Sequence, residues 1–184
     1  FHGGGVYCEG SSNPTLINVT ISNNSASSYG GGIYLENSNS ILTNLTIFGN
    51  SAGNQGGGIY LDNSNPSMSD LYIMNNSTTY DGGGIFCNSS NPTIENSIIT
   101  NNVVGNGGGG IYCASASSPS LNNVTIAGNF ANLNSGGIWL HGSDISIINC
   151  ILWGNSQQAI YIAGGLGVIA TYSDIQGGWA GTGN

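Results

Sequence analysis

The pentapeptide Gly30-Gly31-Gly32-Ile33-Tyr34 decides the fold, because close copies of it recur along the chain. The other copies are Gly3-Gly4-Gly5-Val6-Tyr7, Gly56-Gly57-Gly58-Ile59-Tyr60, Gly82-Gly83-Gly84-Ile85-Phe86, Gly108-Gly109-Gly110-Ile111-Tyr112 and the shortened Gly136-Gly137-Ile138-Trp139. From Val6 to Ile138 the apolar residue after the glycines returns every 26 or 27 residues, and a degenerate seventh copy begins near Ile160. A fixed period of this length indicates a repeat protein.

Each unit also carries a second phrase, such as Leu42-Thr43-Asn44-Leu45-Thr46-Ile47. In both phrases the apolar residues alternate with other residues, and this period of two is typical of short strands. Gly, Asn, Ser and Pro between the phrases indicate turns. A unit with two or three short strands cannot bury its apolar face alone, but it can when it stacks on its neighbours. The sequence therefore predicts an all-β solenoid.

An asparagine follows the second phrase in every complete unit. Asparagine tolerates the left-handed backbone of tight bends, and its amide can donate and accept along a stack of coils. We expect a structural asparagine ladder formed by Asn24, Asn50, Asn76, Asn102, Asn129 and Asn155.

The repeats, together with the closing phrase from Tyr172 to Trp179, resemble the right-handed parallel β-helix proteins of the pectin-lyase-like superfamily. Within it they look most like bacterial secreted and surface proteins, including the polymorphic outer-membrane protein repeats. The resemblance implies one right-handed parallel β-helix over residues 1–184, with about seven coils of 26–27 residues. The expected coils lie near 3–29, 30–55, 56–81, 82–107, 108–135, 136–159 and, in degenerate form, 160–184.

The charge balance excludes several functions. The 184 residues include no Lys or Arg and eight Asp or Glu, so the net charge is −8. Nucleic-acid binding is excluded because it depends on Lys and Arg. No apolar run approaches the ~20 residues of a membrane span, so no membrane insertion is expected. The lyases of the superfamily use Arg or Lys in catalysis, and no such residue is present. We therefore expect a protein that is not an enzyme and has no cofactor.

One aromatic residue per unit follows the glycines and is flanked by inward-facing residues. These aromatics should point outward and form an exposed stripe, which is typical of an interface with other copies or with glycans. Simple stacking that stabilises the sheet is the alternative. The stripe consists of Tyr7, Tyr34, Tyr60, Phe86, Tyr112, Trp139 and Tyr161.

A carboxylate column is formed by Glu9, Glu36 and Asp62. Neighbouring members should lie about 5 Å apart, which suits a Ca²⁺ ion as well as a solvated acidic row. The same spacing resembles the carboxyl pair of a retaining glycosidase. The column is therefore a candidate metal site, whereas the other acidic residues and the two histidines are scattered along the chain.

Cysteines and glycosylation sequons give weaker signals. Cys87 and Cys113 occupy equivalent positions one coil apart, within reach of a disulfide, although parallel side chains favour two buried thiols. Several Asn-x-Ser/Thr sequons occur in this Asn- and Ser-rich chain. Asn75 and Asn88 are the better candidates for glycosylation, because other sequon asparagines are needed in ladders.

These observations favour an extracellular or cell-surface rod with a structural or adhesive role. The chain starts and stops inside the repeat pattern, so we expect either part of a longer protein or open-ended units that assemble end to end into a filament. Other copies of the chain and glycans are the expected partners. The competing interpretation is a carbohydrate-binding or carbohydrate-active module.

Overall fold

The computed structural model describes residues 1–165 and 167–184, and their regular secondary structure consists of strands without helices. The strands form four parallel sheets, three with seven strands and one with five. Each sheet takes one strand from successive coils. The chain is therefore a parallel β-helix of about seven coils, as the repeat predicts.

Sheets 1 and 2 carry the two phrases of the repeat. The strands of sheet 1 are Val6–Cys8, Ile33–Glu36, Ile59–Asp62, Ile85–Asn88, Ile111–Ala114, Ile138–His141 and Ile160–Ala163. The strands of sheet 2 are Thr15–Ile17, Ile41–Thr43, Ser67–Ser69, Thr93–Glu95, Ser120–Asn122, Asp144–Ile148 and Gly167–Thr171. A left-handed asparagine or aspartate, such as Asn44 with φ 52°, turns the chain from sheet 2 into sheet 3.

Sheets 3 and 4 complete the coil. The strands of sheet 3 are Thr20–Ser22, Thr46–Phe48, Tyr72–Met74, Ile98–Thr100, Thr125–Ala127, Ile151–Trp153 and Asp174–Ile175. The strands of sheet 4 are Ser25–Ala26, Ser51–Ala52, Ser77–Thr78, Val103–Val104 and Phe130–Ala131. The first five coils thus hold four strands each, one or two more than the two or three expected. Two residues are too short to show a period, so the sequence pattern could not reveal sheet 4.

The core is a stack of identical layers. Ile33 pairs in register with Ile59, and Ile59 with Ile85, so equivalent residues of the repeat lie directly above one another. Leu45 and Ile47 are buried, and Thr46 between them points outward. Each inward position of the repeat thus forms one buried apolar column. The burial of these columns, at about 25 cal/mol per Å², is the main force that holds neighbouring coils together.

The glycine triplets allow neighbouring backbones to approach closely where sheet 4 leads into sheet 1. A Cβ on Gly57 would lie 2.5 Å from the Ser77 carbonyl oxygen and 2.7 Å from that of Gly83. Real Cβ atoms do not approach backbone oxygens so closely. The triplet is therefore a packing device of the helix.

The last coil is partly covered by the chain that follows it. Trp179 packs against the apolar core. The Tyr172 amide donates to the Thr182 carbonyl at 2.8 Å, and the Ser173 amide donates to Asn184 Oδ1 at 2.8 Å. Stacking of a further coil on these strands would require this segment to move.

Candidate functional site

The asparagine column forms a continuous hydrogen-bonded ladder inside the rod. The backbone amide and Nδ2 of Asn50 both donate to Asn76 Oδ1 at 3.0 Å, and Asn76 donates in the same way to Asn102. The remaining amide hydrogen of Asn76 is donated to the Ile47 carbonyl at 3.0 Å. Asn50, Asn76 and Asn102 are fully buried. Their amide groups are thus engaged in coil-to-coil contacts.

A second ladder, of serines, lies between sheets 1 and 2. The Ser38 amide donates to Ser64 Oγ, and the Ser64 amide donates to Ser90 Oγ, both at 3.0 Å. Sequence reasoning missed this ladder, although the recurring tripeptide Ser-Asn-Pro, as at 64–66 and 90–92, marks its position. In the same turn, the Asn65 amide donates to Asn39 Oδ1 at 2.7 Å.

The aromatic stripe points outward from sheet 1, but most of it is not exposed. Tyr34, Tyr60, Phe86 and Tyr112 are only 4–6% exposed, so the predicted exposed stripe is wrong for the middle of the rod. Tyr7 is 44% exposed, and Trp139 and Tyr161 are half-buried. The stripe therefore does not offer a continuous surface to a partner.

Ring stacking is the physical reason for this burial. Tyr34, Tyr60, Phe86 and Tyr112 stack with centroid distances of 4.8–5.3 Å and interplanar angles of 4–7°. This distance is close to the strand spacing of about 4.8 Å, so each ring covers the faces of its neighbours. Tyr29 adds a second layer by stacking on Tyr60 at 4.8 Å. The alternative, stacking that stabilises the sheet, describes this column.

The phenol groups of the stripe contact the carboxylate column. Tyr7 donates to Glu9 at 2.6 Å, and this hydrogen bond is the main reason that the pKa of Tyr7 rises to about 12. Tyr34 donates to Glu36 at 3.2 Å, and burial is the main cause of its raised pKa. Glu9 and Glu36 thus each accept a hydrogen bond from a tyrosine of their own coil.

The carboxylates do not converge on a metal site. Asp62 Oδ1 accepts a hydrogen bond from Asn88 Nδ2 at 2.9 Å. Within residues 1–165 and 167–184, no group of three or more His, Cys, Asp or Glu side chains is arranged to hold a metal ion. The candidate metal site of Glu9, Glu36 and Asp62 therefore has no geometric support, because residues of one column project in parallel.

The candidate disulfide is not formed. Cys87 and Cys113 are register partners in sheet 1, and both are fully buried free thiols. The neighbouring Cys87 thiol and burial together raise the pKa of Cys113 well above its usual value. A protonated thiol is a poor nucleophile, so this pair serves as core packing.

The two candidate glycosylation sites differ in accessibility. Asn75 is exposed in a left-handed turn with φ 54°. Asn88 is half-buried, and its amide donates to Asp62 and accepts from Ser115 Oγ at 2.7 Å. Asn75 is thus the more accessible of the two.

A buried polar cluster lies beside the stripe where sheet 4 leads into sheet 1. Asp81 is 9% exposed, and its Oδ1 is buried without a hydrogen-bond partner among the described residues. Burial raises the pKa of Asp81, while Gln55, Gly107 and Asn106 oppose this effect through hydrogen bonds and His141 through its charge. Burial thus disfavours the ionised carboxylate of Asp81 relative to its form in water.

Asp81→Asn is expected to raise the melting temperature at neutral pH and to leave it unchanged at acidic pH. Because the folded-state pKa lies above the unfolded value of 3.8, the folded state holds the proton more tightly. Asp81 therefore favours folding at low pH, and this contribution is lost as the pH rises through the folded-state pKa. Thermal unfolding of both proteins, followed by circular dichroism from acidic to neutral pH, tests the expectation. An identical pH dependence in the wild type and the variant would contradict it.

An open groove of about 310 Å³ lies on the outer face of sheet 2, near its last strands. Its walls include Ser120, Ser146 and the strongly exposed Ile169. Asp144 borders the groove, and its Oδ1 accepts a hydrogen bond from the Gly167 amide at 2.9 Å. Hydroxyl groups beside an apolar wall can contact a small neutral ligand.

Comparison with known proteins identifies the family. In the part of the chain that the structure describes, no helix has the length and hydropathy of a membrane span. No curated protein and no solved structure matches the chain. The family model described as a right-handed β-helix region matches residues 2–131 and, in a second overlapping match, residues 81–182. This chain therefore belongs to the right-handed β-helix family.

Proposed function

We propose that this protein is a non-catalytic structural rod that associates with copies of itself outside the cell or at the cell surface. The supporting observation is that the repeated side chains serve contacts between coils. In the asparagine and serine ladders, the side chains form hydrogen bonds with the next coil. In the aromatic stack, the ring faces contact the rings of the next coil. Such columns give stiffness along the axis and leave few groups for a ligand.

Charge and composition also favour a structural role over the binding or cleavage of polyuronates, which are acidic polysaccharides. A chain with a net charge of −8 and no Lys or Arg repels an acidic polysaccharide. The absence of Lys and Arg also removes every cleavage site for trypsin-like proteases, which suits an exposed protein. Among β-helix proteins, we place the chain with secreted and surface members of the pectin-lyase-like superfamily.

Electron microscopy of native material tests the structural role. Seven coils at about 4.8 Å make a rod about 34 Å long. We expect assemblies built from this unit, either side by side or, where the segment that covers the last coil has moved, end to end. Isolated particles of the size of one chain, even in concentrated native material, would contradict the proposal.

A second candidate function is carbohydrate binding, which the groove on sheet 2 favours. Its hydroxyl groups, at Ser120 and Ser146, suit a neutral saccharide better than a charged one. Retention on immobilised neutral polysaccharides tests this function. Ser146→Phe should fill the groove and abolish retention, whereas Tyr7→Ser at the end of the stripe should leave it intact. Failure of the wild type to bind any polysaccharide would contradict this candidate.

A further inference from the structure

Trp139 departs from the flat aromatic stack, and a glycine makes room for it. Its ring meets that of Tyr112 at a centroid distance of 5.0 Å and an angle of 65°, whereas the flat part of the stack has angles of 4–7°. The indole also lies against Gly107, where a Cβ would collide with its Cε3. The equivalent positions of the two preceding coils carry Gln55 and Asp81. The repeat is thus altered at two positions to place this ring beside Tyr112.

The indole nitrogen of Trp139 has no acceptor for its proton. Nε1 is buried and has no hydrogen-bond partner among the described residues. An indole that loses an electron becomes a weaker oxidant once its N–H proton has moved to an acceptor. Oxidised Trp139 therefore keeps its proton and remains a radical cation, which can take an electron from a phenol. The side chain is half-buried, so a small oxidant in solution can reach the ring.

Two phenols flank this indole, and one of them is paired with a base. Tyr112 Oη lies 3.1 Å from Nδ1 of His141, and this Nδ1 accepts the phenol hydrogen bond when the imidazole carries its own hydrogen on Nε2. Burial is the main reason that the pKa of Tyr112 rises to about 12, so the phenol can lose an electron at neutral pH only if a base takes its proton. The ring of Tyr161, on the other side of Trp139, is 5.6 Å away, but its phenol forms no hydrogen bond with another described residue.

The fold does not require the histidine. The register partners of His141 are Ala114 and Ala163, so alanine fits the same column. His141 is exposed, which lets an imidazolium formed there release its proton to solvent. Phe86 stacks on the other face of Tyr112 at 4.8 Å, and a phenyl ring without a hydroxyl group is harder to oxidise than a phenol. An oxidising equivalent that reaches Tyr112 is therefore held there.

We propose that Trp139, Tyr112 and His141 form a one-electron redox site that takes oxidising equivalents from small radical oxidants. A neutral radical removes one electron from Trp139 and leaves as its anion. The indole radical cation then takes one electron from Tyr112, and the phenol proton moves to His141. The products are the neutral indole, the neutral phenoxyl radical and the imidazolium, so charge and protons balance. This activity goes beyond the proposed structural role and does not rest on it.

Pulse radiolysis in azide solution tests the site, because the azide radical is a neutral one-electron oxidant that attacks indole rings. In the wild type, we expect the absorption of an indole radical to decay as that of a phenoxyl radical rises, at a rate independent of protein concentration. Trp139→Phe and Tyr112→Phe should each abolish this phase, and Phe86 shows that the column accepts the new ring. His141→Ala should slow it at least about tenfold.

The matched control is Tyr161→Phe, which removes the phenol on the other side of Trp139 and should leave the phase unchanged. Added imidazole should restore the rate of His141→Ala, and heavy water should slow the wild type, neither of which a purely structural histidine would show. Circular dichroism verifies that each variant keeps the β-helix.

A wild type without a concentration-independent phase would overturn the inference. Persistence of the phase in Tyr112→Phe, or its loss in Tyr161→Phe, would also overturn it, since the electron would then come from another phenol. An unchanged rate in His141→Ala would contradict the role of the histidine as the proton acceptor. None of these results bears on the association of the rods, so the structural proposal is tested separately.

Discussion

Asn76→Ala is expected to lower the free energy of unfolding by about 3–9 kcal/mol, because it leaves buried partners without hydrogen bonds. The Asn50 amide and its Nδ2 would lose their acceptor, and the Ile47 carbonyl would lose its donor. Each unpaired buried group costs about 1–3 kcal/mol. Since domains have a total stability of about 5–15 kcal/mol, this variant should be close to unfolding.

Urea unfolding of the variant, compared with the wild type, measures this effect. Asn132→Ala is the matched control, because the Asn132 side chain is exposed and does not belong to the ladder. We expect the control to change stability by less than about 0.5 kcal/mol. Equal losses for the two alanine variants would show that the ladder does not stabilise the coils.

Gly57→Ala is expected to lower stability by about 4 kcal/mol or more, because the added methyl group would collide with the next coil. Its Cβ would lie 2.5 Å from the Ser77 carbonyl oxygen and 2.7 Å from that of Gly83. Ser77 lies in a strand of sheet 4, and the Gly83 carbonyl accepts a hydrogen bond from the Gly58 amide at 2.9 Å, so neither oxygen can move alone. The two coils would have to separate locally, which also weakens the hydrogen bonds between them.

The control for this substitution is Gly142→Ala, where a Cβ meets nothing within 4 Å. Gly142 has φ 58°, so alanine there should cost about 1–2 kcal/mol through backbone strain alone. A comparison of the melting temperatures of the two variants separates the effect of steric collision at position 57 from that of backbone strain at position 142. A smaller loss at Gly57 than at Gly142 would contradict the close approach of the coils.

The spacing of the repeat was sufficient to predict the coil, because equivalent residues of a solenoid must return at a fixed interval. The steps of 26 or 27 residues correspond to the register in which Ile33 pairs with Ile59 and Ile85 with Ile111. The period-two pattern likewise predicted which side chains enter the core. Leu45 and Ile47 are buried, as their alternation with Thr46 indicates.

The aromatic stripe shows where sequence reasoning failed. Alternation predicts the direction in which Tyr60 leaves the backbone, but it does not show what covers the ring. Here Tyr34 and Phe86 cover its two faces, and Tyr29 adds a contact from another turn. Exposure depends on these neighbours, which are one coil away in sequence.

The outward column of sheet 4 was missed because its strands are too short to show a pattern. Val103 lies in a strand of two residues, too short to reveal a sheet, so its outward direction could not be inferred. Phe130 has the same position one coil later. Alignment of the units against Ser25, Ser51 and Ser77 would have revealed a polar column that becomes apolar.

Hydrogen–deuterium exchange of the asparagine side-chain amides, followed by NMR, tests most directly the claim that the repeated side chains hold coil on coil. The account predicts that the amides of Asn50, Asn76 and Asn102 exchange at least about 100-fold more slowly than that of the exposed Asn132, because each is buried and donates to its neighbours. Exchange of the ladder amides as fast as that of Asn132 would contradict it.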